Sequence, residues 1–458
     1  MSAATLPEVI EAERFAYEAG LRRVYGETIV TGTLALEAAH QRRCEQLRHA
    51  LASRFRWPAI ESEPPGRLLV QITQRCTLTC PHCWAFARPD TRCSLTLSDL
   101  EAIHLNTASS GTTWSVSGGE PFVLSYFPEV LRRFPIDCVF TNASWGHPAA
   151  ECEARLHATA RALRENPHVP SKGVTFILSF DVFHLQGCRA GLPLADAVAR
   201  VAAGLWESVP GARVRISHAR RSPGDVAYEQ VFRELGAAGF RVDQVEPVER
   251  NGDIAISYWR VGRPGQAPHA LAVDCYPVAS VCRAVVSADG EPPVVYSQAG
   301  GAGEANQAAR RPRHRFTIGA DGGVGLYQIL HSPPGPYWVG NAITEAWPII
   351  AARTSRDPIA VTLREQGPGA LLDTLCRHFG ELSARLSQTT QGVQEHLYLA
   401  LLDPERRLLL NTELLRGLLG RGRVACLDPT LPAQMDKVLD AQGAESRLAA
   451  LRQLYGLN

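Results

Sequence analysis

Between residues 67 and 248 short apolar runs alternate with longer segments of helical spacing. LLVQIT (68–73), TWSVS (113–117), IDCVFT (136–141), GVTFILSF (173–180), RVRIS (213–217) and FRVDQVEPV (240–248) predict six strands. TLSDLEAIHLNTA (96–108), YFPEVLRRF (126–134), AAECEARLHATARALREN (149–166), LPLADAVARVAAGLWESV (192–209) and VAYEQVFRELGAAG (226–239) predict the five helices between them. The strand segments are short, apolar and rich in β-branched residues, as parallel strands buried on both faces require. Repeated strand–helix units of this length predict an α/β fold with a parallel sheet, open or closed into a barrel.

The flanks have a different texture. Residues 7–57 carry helical spacing through Ile10, Phe15, Leu21, Val24, Leu34, Leu36, Leu47 and Leu51, and ESEPPG (61–66) reads as a linker. Past residue 250, VVSADGEPPVVYS (285–297) and FTIGADGGVGLYQ (316–328) predict hairpins turning on Asp-Gly, which supplies the positive φ of a tight turn. The loop GGAGEANQAARRPRHR (300–315) between them is basic. From about Ile343 onward, amphipathic segments such as QEHLYLALLD (394–403) and ERRLLLNTELLRGLLG (405–420) predict a helical domain. The expected division is therefore a helical extension (1–64), a strand–helix core (65–250), a hairpin module (251–345) and a helical domain (346–458).

Composition narrows the function classes. A chain of 458 residues exceeds one ordinary core, and 45% hydrophobic with 20% charged residues is globular rather than disordered. A formal charge of +1 without a basic block argues against nucleic acid as a partner. The opening MSAATLPEVIEAERF has no basic segment followed by an apolar one, and runs such as VTFIL (174–178) are too short to span a bilayer. The expectation is a cytoplasmic protein with no membrane partner. In that compartment its 12 cysteines are mostly reduced, so a tight cysteine cluster reads as a metal site.

Such a cluster lies directly after the first strand. RCTLTCPHCWAF (75–86) places Cys76, Cys80 and Cys83 at CxxxCxxC spacing, in a loop where a parallel α/β fold puts its chemistry. Three thiolates can hold three irons of a cubane and leave the fourth iron open, whereas four protein ligands would close it. The alternatives are structural zinc, with His82 as fourth ligand, and inert buried thiols. Zinc is disfavoured because His82 adjoins Cys83 and no second pair occurs at zinc-finger spacing.

The second strand ends in Ser117-Gly118-Gly119-Glu120-Pro121. CxxxCxxC followed by GGEP one strand later resembles the radical S-adenosylmethionine (radical SAM) superfamily over about residues 67–248. The resemblance implies a partial (β/α)6 TIM-type barrel. It implies a [4Fe-4S] cluster on Cys76, Cys80 and Cys83, and S-adenosyl-L-methionine (SAM) bound through its amino and carboxylate groups at the open iron. Gly118, Gly119 and Glu120, in the motif that Pro121 completes, then hold the methionine amine. Asn142, after Thr141, matches the turn near the methionyl part, and Ser179 and Asp181 in SFD match positions contacting ribose or carboxylate. Ile216 matches the apolar residue beside adenine, and Arg220 is a candidate partner for the SAM carboxylate. For Asn142, Ser179 and Asp181 the alternative is capping at a strand–helix junction, and for Arg220 a solvated loop charge. His184 in DVFHL is a candidate to act on substrate or product, the alternative being a structural histidine.

RFTIGADGGVGLYQ with VGNAIT (339–344) resembles the hairpin and Gly-Asn turn of the SPASM or twitch module that many radical SAM enzymes append. Where that module has a cysteine this chain has Tyr327, and only Cys275 and Cys282 lie nearby. Two thiols cannot saturate a cubane, so the expectation is a degenerate SPASM-like module without an auxiliary cluster. The resemblance implies SAM cleavage and hydrogen abstraction in peptide or protein maturation, with a one-electron donor such as flavodoxin or ferredoxin as partner. RRPRHR (310–315) is a candidate to meet an acidic substrate or leader peptide. A small-molecule substrate in natural-product biosynthesis is the alternative, since no leader-binding module is visible. A non-catalytic iron–sulfur or zinc protein is a further alternative, which GGEP and SFD argue against.

Overall fold

The alternation is realised as a mixed α/β structure with a large, mostly parallel sheet. In this computed structural model the described residues are 34–58, 66–80, 83, 85, 87–108, 112–189, 191–220, 224–251, 254–277, 316–326, 338–380, 382, 397, 400–401 and 403–457. They fall into two units, Pro64–Ser297 with Arg313–Gly322, and Met1–Glu63 with Gln298–Pro312 and Gly323–Asn458.

The first unit contains β1 (Arg67–Thr73), α1 (Leu97–Thr107), β2 (Thr113–Gly118), α2 (Phe127–Arg133), β3 (Ile136–Thr141), α3 (Ala149–Glu165) and β4 (Thr175–Ser179). It continues with α4 (Val182–Gln186), α5 (Leu194–Ser208), β5 (Arg213–Arg220), α6 (Glu229–Ala237), β6 (Arg241–Asn251), β7 (Ile254–Gly262), β8 (His269–Pro277) and β9 (Phe316–Ile318). Strand order is β9-β1-β2-β3-β4-β5-β8-β7-β6. The strands from β9 to β8 in this order run parallel, and β7 and β6 are antiparallel additions.

Register gives the sheet two unlike faces. Val70, Val116, Val139, Phe176, Val214, Leu271 and Trp259 form one row by direct pairing from β1 to β7. Helices cover this face: Trp114 stacks on Phe134 and meets His104 of α1, and Trp259 meets Phe232 of α6. Strand residues alternate between faces, so the next positions turn the other way. There the rows are Leu69–Ser115–Cys138–Thr175–Arg213 and Phe140–Ile177–Arg215–Ala272, a more polar surface. The helices start where the sequence marks them; Thr96 and Asp99 form a reciprocal capping box at α1.

Two expectations change. The strand expected at 240–248 exists as β6, but it lies at the sheet edge, antiparallel to β7. The place beside β5 belongs to β8, in residues outside the six expected strands. Pro247 lies within β6, and the register shifts between Val245 and Glu249; proline and bulges belong on edge strands, not in a parallel centre. Likewise Phe316–Ile318, expected in a separate hairpin module, pairs in parallel with β1. The Asp-Gly turn after it does form, with Gly322 at φ +79° and its N–H donating to Gly319 O.

In the second unit, helix Leu34–Ala52 matches part of the expected N-terminal extension, while residues 7–33 lie outside the described set. Helices Pro358–Gln366 and Pro404–Gly420 each begin with proline after an aspartate N-cap, Asp357 or Asp403. Short antiparallel pairs join Phe55–Arg56 to Ala425–Cys426 and Gly323–Leu326 to Trp338–Asn341. The Gly-Asn turn is present: Asn341 Oδ1 accepts from Ile343 N at 2.9 Å. The core of this unit holds fully buried charges, with Glu45 bonded to Arg48 and Arg407, and Asp357 bonded to Arg48 and His49. The hairpin expected at 285–297, the basic loop, Tyr327, Cys282 and most of 394–403 lie outside the described residues. No helix of the described residues is long and apolar enough to cross a membrane.

Candidate active site

The cysteine loop leaves β1 at Thr73 and is fastened at its base. Gln74 N donates to Cys93 O, Arg88 N to Gln74 O, and Cys76 N to Arg88 O at 3.1 Å. The GGEP segment lies against it, with Gly119 N donating to Thr73 O at 2.7 Å and Glu120 N to Arg75 O at 2.9 Å. This contact explains both glycines. A Cβ on Gly118, whose φ is +134°, would stand 2.1 Å from Thr73 O, and one on Gly119 would stand 2.1 Å from Arg75 O. Their bareness therefore serves the junction with the cysteine loop, whatever ligand lies beyond it.

Glu120 is fully buried and engaged by protein. Its carboxylate accepts from Phe122 N (3.1 Å), from Thr141 Oγ1 (2.8 and 2.9 Å) and from Asn142 N (2.8 Å). Burial pushes its pKa up to about 7, against the opposing pull of these donors. Asn142 carries the link onward: its Nδ2 donates to Cys76 Sγ at 3.4 Å and to Thr77 Oγ1 at 3.3 Å. Its Oδ1 accepts from Ser144 N, and Ser144 Oγ lies 2.6 Å from Thr77 Oγ1. Glu120, Asn142 and Cys76 thus form one connected chain across the ends of β1, β2 and β3.

The other side of the loop rests on the segment after β4. Thr79 N donates to Gly187 O, and a Cβ on Gly187 would lie 2.7 Å from Cys80 N and 2.9 Å from Cys80 Sγ. Asp181 is fully buried and caps α4, accepting from Phe183 N, His184 N and His184 Nδ1, while its second oxygen accepts from Ala219 N of β5. Ser179 pairs in register with Ser217, and Ser217 Oγ meets Tyr276 OH at 3.2 Å. Asp181, His184 and Ser179 are therefore gathered at the same strand ends as the cysteine loop.

Ile216 and Arg220 sit differently. Ile216 is buried in register with Leu178 and Val273, on the face opposite Ser179 and Ser217. Arg220 ends β5, with its charge acting on Tyr228 and Cys275. Cys275 itself is buried in β8, paired with His218, whose ring meets Tyr228. Gly187, Thr77 and Ser144 join the site without any signal in the sequence. GC at 187–188 has no distinctive spacing from Cys80, so only the folded loop reveals the contact.

The three thiols lie near enough to one another for Cys83 to bear on Cys76 and Cys80. Four donors on one tetrahedral zinc lie about 3.8 Å apart, the geometry of bonds near 2.3 Å. Among the described residues, Cys76, Cys80 and Cys83 are not a group whose ligand atoms all lie within 4.8 Å of one another. Burial pushes the Cys76 thiol up to about 12 and Cys80 well above its ordinary value, so holding them as thiolates requires a cationic partner, which either iron or zinc would supply.

No protein-family model matches the sequence, and no curated protein does. Some solved structures are similar to this chain in part. A histidine-tagged anSMEcpe with bound AdoMet has 12% identity and a TM-score of 0.37, covering 63% of this chain and 80% of that one. Streptococcus suis SuiB bound to S-adenosylmethionine has 13% identity and a TM-score of 0.33, covering 66% and 68%. The same protein bound to precursor peptide SuiA has 21% identity and a TM-score of 0.25, and there this chain spans only 36% of the other's length. The chain resembles radical SAM enzymes. That likeness rests on its own CxxxCxxC and GGEP segments and on the contacts that join them.

Proposed function

We propose that this chain is a radical SAM enzyme with Cys76, Cys80 and Cys83 as ligands of one [4Fe-4S] cluster. The observation carrying this reading is the join between the two motifs: Gly118 and Gly119 pack on the cysteine loop, and Asn142 bonds Cys76 Sγ. A structural zinc loop needs neither contact. Such a cluster, when bound with SAM, supplies an electron for reductive C5′–S cleavage and hydrogen abstraction by the 5′-deoxyadenosyl radical.

The residues have distinct work in this reading. Residues 118–121 present backbone groups to the methionine amine, and Glu120 holds Asn142 against Cys76. Ser179 and Asp181 present the ribose side, with His184 beside them. The sheet from β1 to β5 with β8 acts as the six strands of a partial (β/α)6 barrel, and its polar face takes the substrate. Residues 251–345 act as a SPASM-like module without an auxiliary cluster, a reading supported by the Asp-Gly turn, the Asn341 turn and Cys275 being buried on the helix-covered face. Peptide or protein maturation, with flavodoxin or ferredoxin as electron donor, is the substrate class that fits this module best.

The test is metal content. Anaerobically reconstituted protein should hold about four irons and four sulfides per chain. Replacing Cys76, Cys80 and Cys83 together by Ala should remove them all. Stoichiometric zinc that survives anaerobic purification and resists iron exchange would contradict the reading.

A further inference from the structure

Gln71 stands on β1, five residues before Cys76, and is almost fully buried. Its side-chain nitrogen has no hydrogen-bond partner. It lies in register with Ser117, and alternation puts both on the polar face, beside the row Phe140–Ile177–Arg215. In that row Arg215 is already satisfied by its ion pair with Asp274. Higher on the same face, Ser217 and Tyr276 bond each other. Gln71 Nε2 is thus a buried donor on this face that no protein group satisfies. A buried amide without a partner is costly, and an aliphatic side chain of the same length would avoid the cost.

We propose that Gln71 is a substrate-binding residue whose amide N–H donates to a carbonyl oxygen of the substrate, a peptide in the reading above. The chemistry is that of a neutral donor. With Arg215 neutralised by Asp274, the row beside Gln71 offers no unpaired cation, so it favours an amide carbonyl over a carboxylate or phosphate. The neighbouring Phe140 and Ile177 supply an apolar flank for the adjoining carbon chain. Gln71 lies inside the strand, below the loops at 118–121, 141–142 and 179–181 that face SAM in this reading, which separates its ligand from SAM.

The proposal rests on the radical SAM peptide reading, and Gln71→Met tests it with separable outcomes. Methionine keeps the length and removes the donor. In the SAM-free, cluster-loaded protein the variant should melt about 2–6 °C higher, because an unmet donor has gone. The Kd for SAM should stay within about twofold, and KM for a short precursor peptide, sought among the reading frames beside the gene, should rise about tenfold. A lower melting temperature would show that Gln71 is already satisfied, for instance by an internal water, and would overturn the assignment. A SAM Kd weaker by about tenfold would make it a SAM contact, and an unchanged peptide KM would make it a packing defect; either overturns it. If the wild-type enzyme alters no such peptide, the peptide reading falls and this proposal falls with it, whereas a lower melting temperature or a weaker SAM Kd in the variant overturns the proposal alone.

Discussion

Gly187 and Cys80 are in direct contact, and the contact leaves no room for a side chain: a methyl on Gly187 would lie 2.9 Å from Cys80 Sγ and 2.7 Å from its backbone nitrogen. Because the obstacle is backbone as well as sulfur, the loop itself must shift. Gly187→Ala should therefore lower iron content per chain by at least half. Gly224→Ala, where nothing lies within 4 Å, should leave it unchanged. Equal iron in both variants would show that the loop at 187 does not position the ligand.

Glu120 is the acceptor for three donors, from Phe122, Thr141 and Asn142. Glu120→Ala should orphan them and destabilise the fold by about 3 kcal/mol or more, at about 1–3 kcal/mol for each donor left unpaired. Since Asn142 also bonds Cys76, cluster retention and SAM affinity should fall together. Thermal melting, iron assay and SAM titration measure this. Loss of SAM binding alone, with unchanged melting, would assign Glu120 to the ligand rather than to the junction.

The buried pair Arg48–Asp357 gives the second unit a defined acid response. Burial alone would raise the Asp357 carboxyl, but Arg48 and His49 outweigh it and hold the pKa down to about 2, from an ordinary 3.8. A depressed carboxyl contributes stability that is present above the unfolded value and lost as pH falls through the folded one. The amplitude is about 2 kcal/mol, lost between about pH 4 and 2. Asp357→Asn should abolish this part of the pH dependence while costing stability at neutral pH, since Arg48 loses a charged partner. Parallel pH profiles for the wild type and variant would contradict the assignment.

Cys275 is buried on the helix-covered face beside His218 and Tyr228. Its replacement by Ala, together with Cys282, should leave about four irons per chain. A fall to fewer, or about eight irons in the wild type, would make these thiols cluster ligands and bring a second redox centre into the reaction.

The cysteine loop, its place after β1 and the strands through β5 were legible because each is a local signal: spacing, apolar runs and caps. The order of the far edge was not. FRVDQVEPV reads as another strand of the same kind, and only pairing shows that it folds back through IAISYWRVG before HALAVDCYP takes the place beside β5. The alternation in IAISYWRVG was available as a signal, whereas pairing partners are not written in any one strand. The site shows the same division. Motif positions could be named from spacing, but not that Gly118 and Gly119 face Thr73 and Arg75, that Ile216 turns toward the helices, or that Gly187 meets Cys80. Those facts belong to contacts between distant segments.

The central claim is tested most directly by the products formed from SAM. Reconstituted, dithionite-reduced protein should convert SAM to 5′-deoxyadenosine and methionine in equal amounts, even without substrate, and the protein lacking Cys76, Cys80 and Cys83 should form neither. Methylthioadenosine as the sole product, or equal 5′-deoxyadenosine from the triple variant, would contradict it.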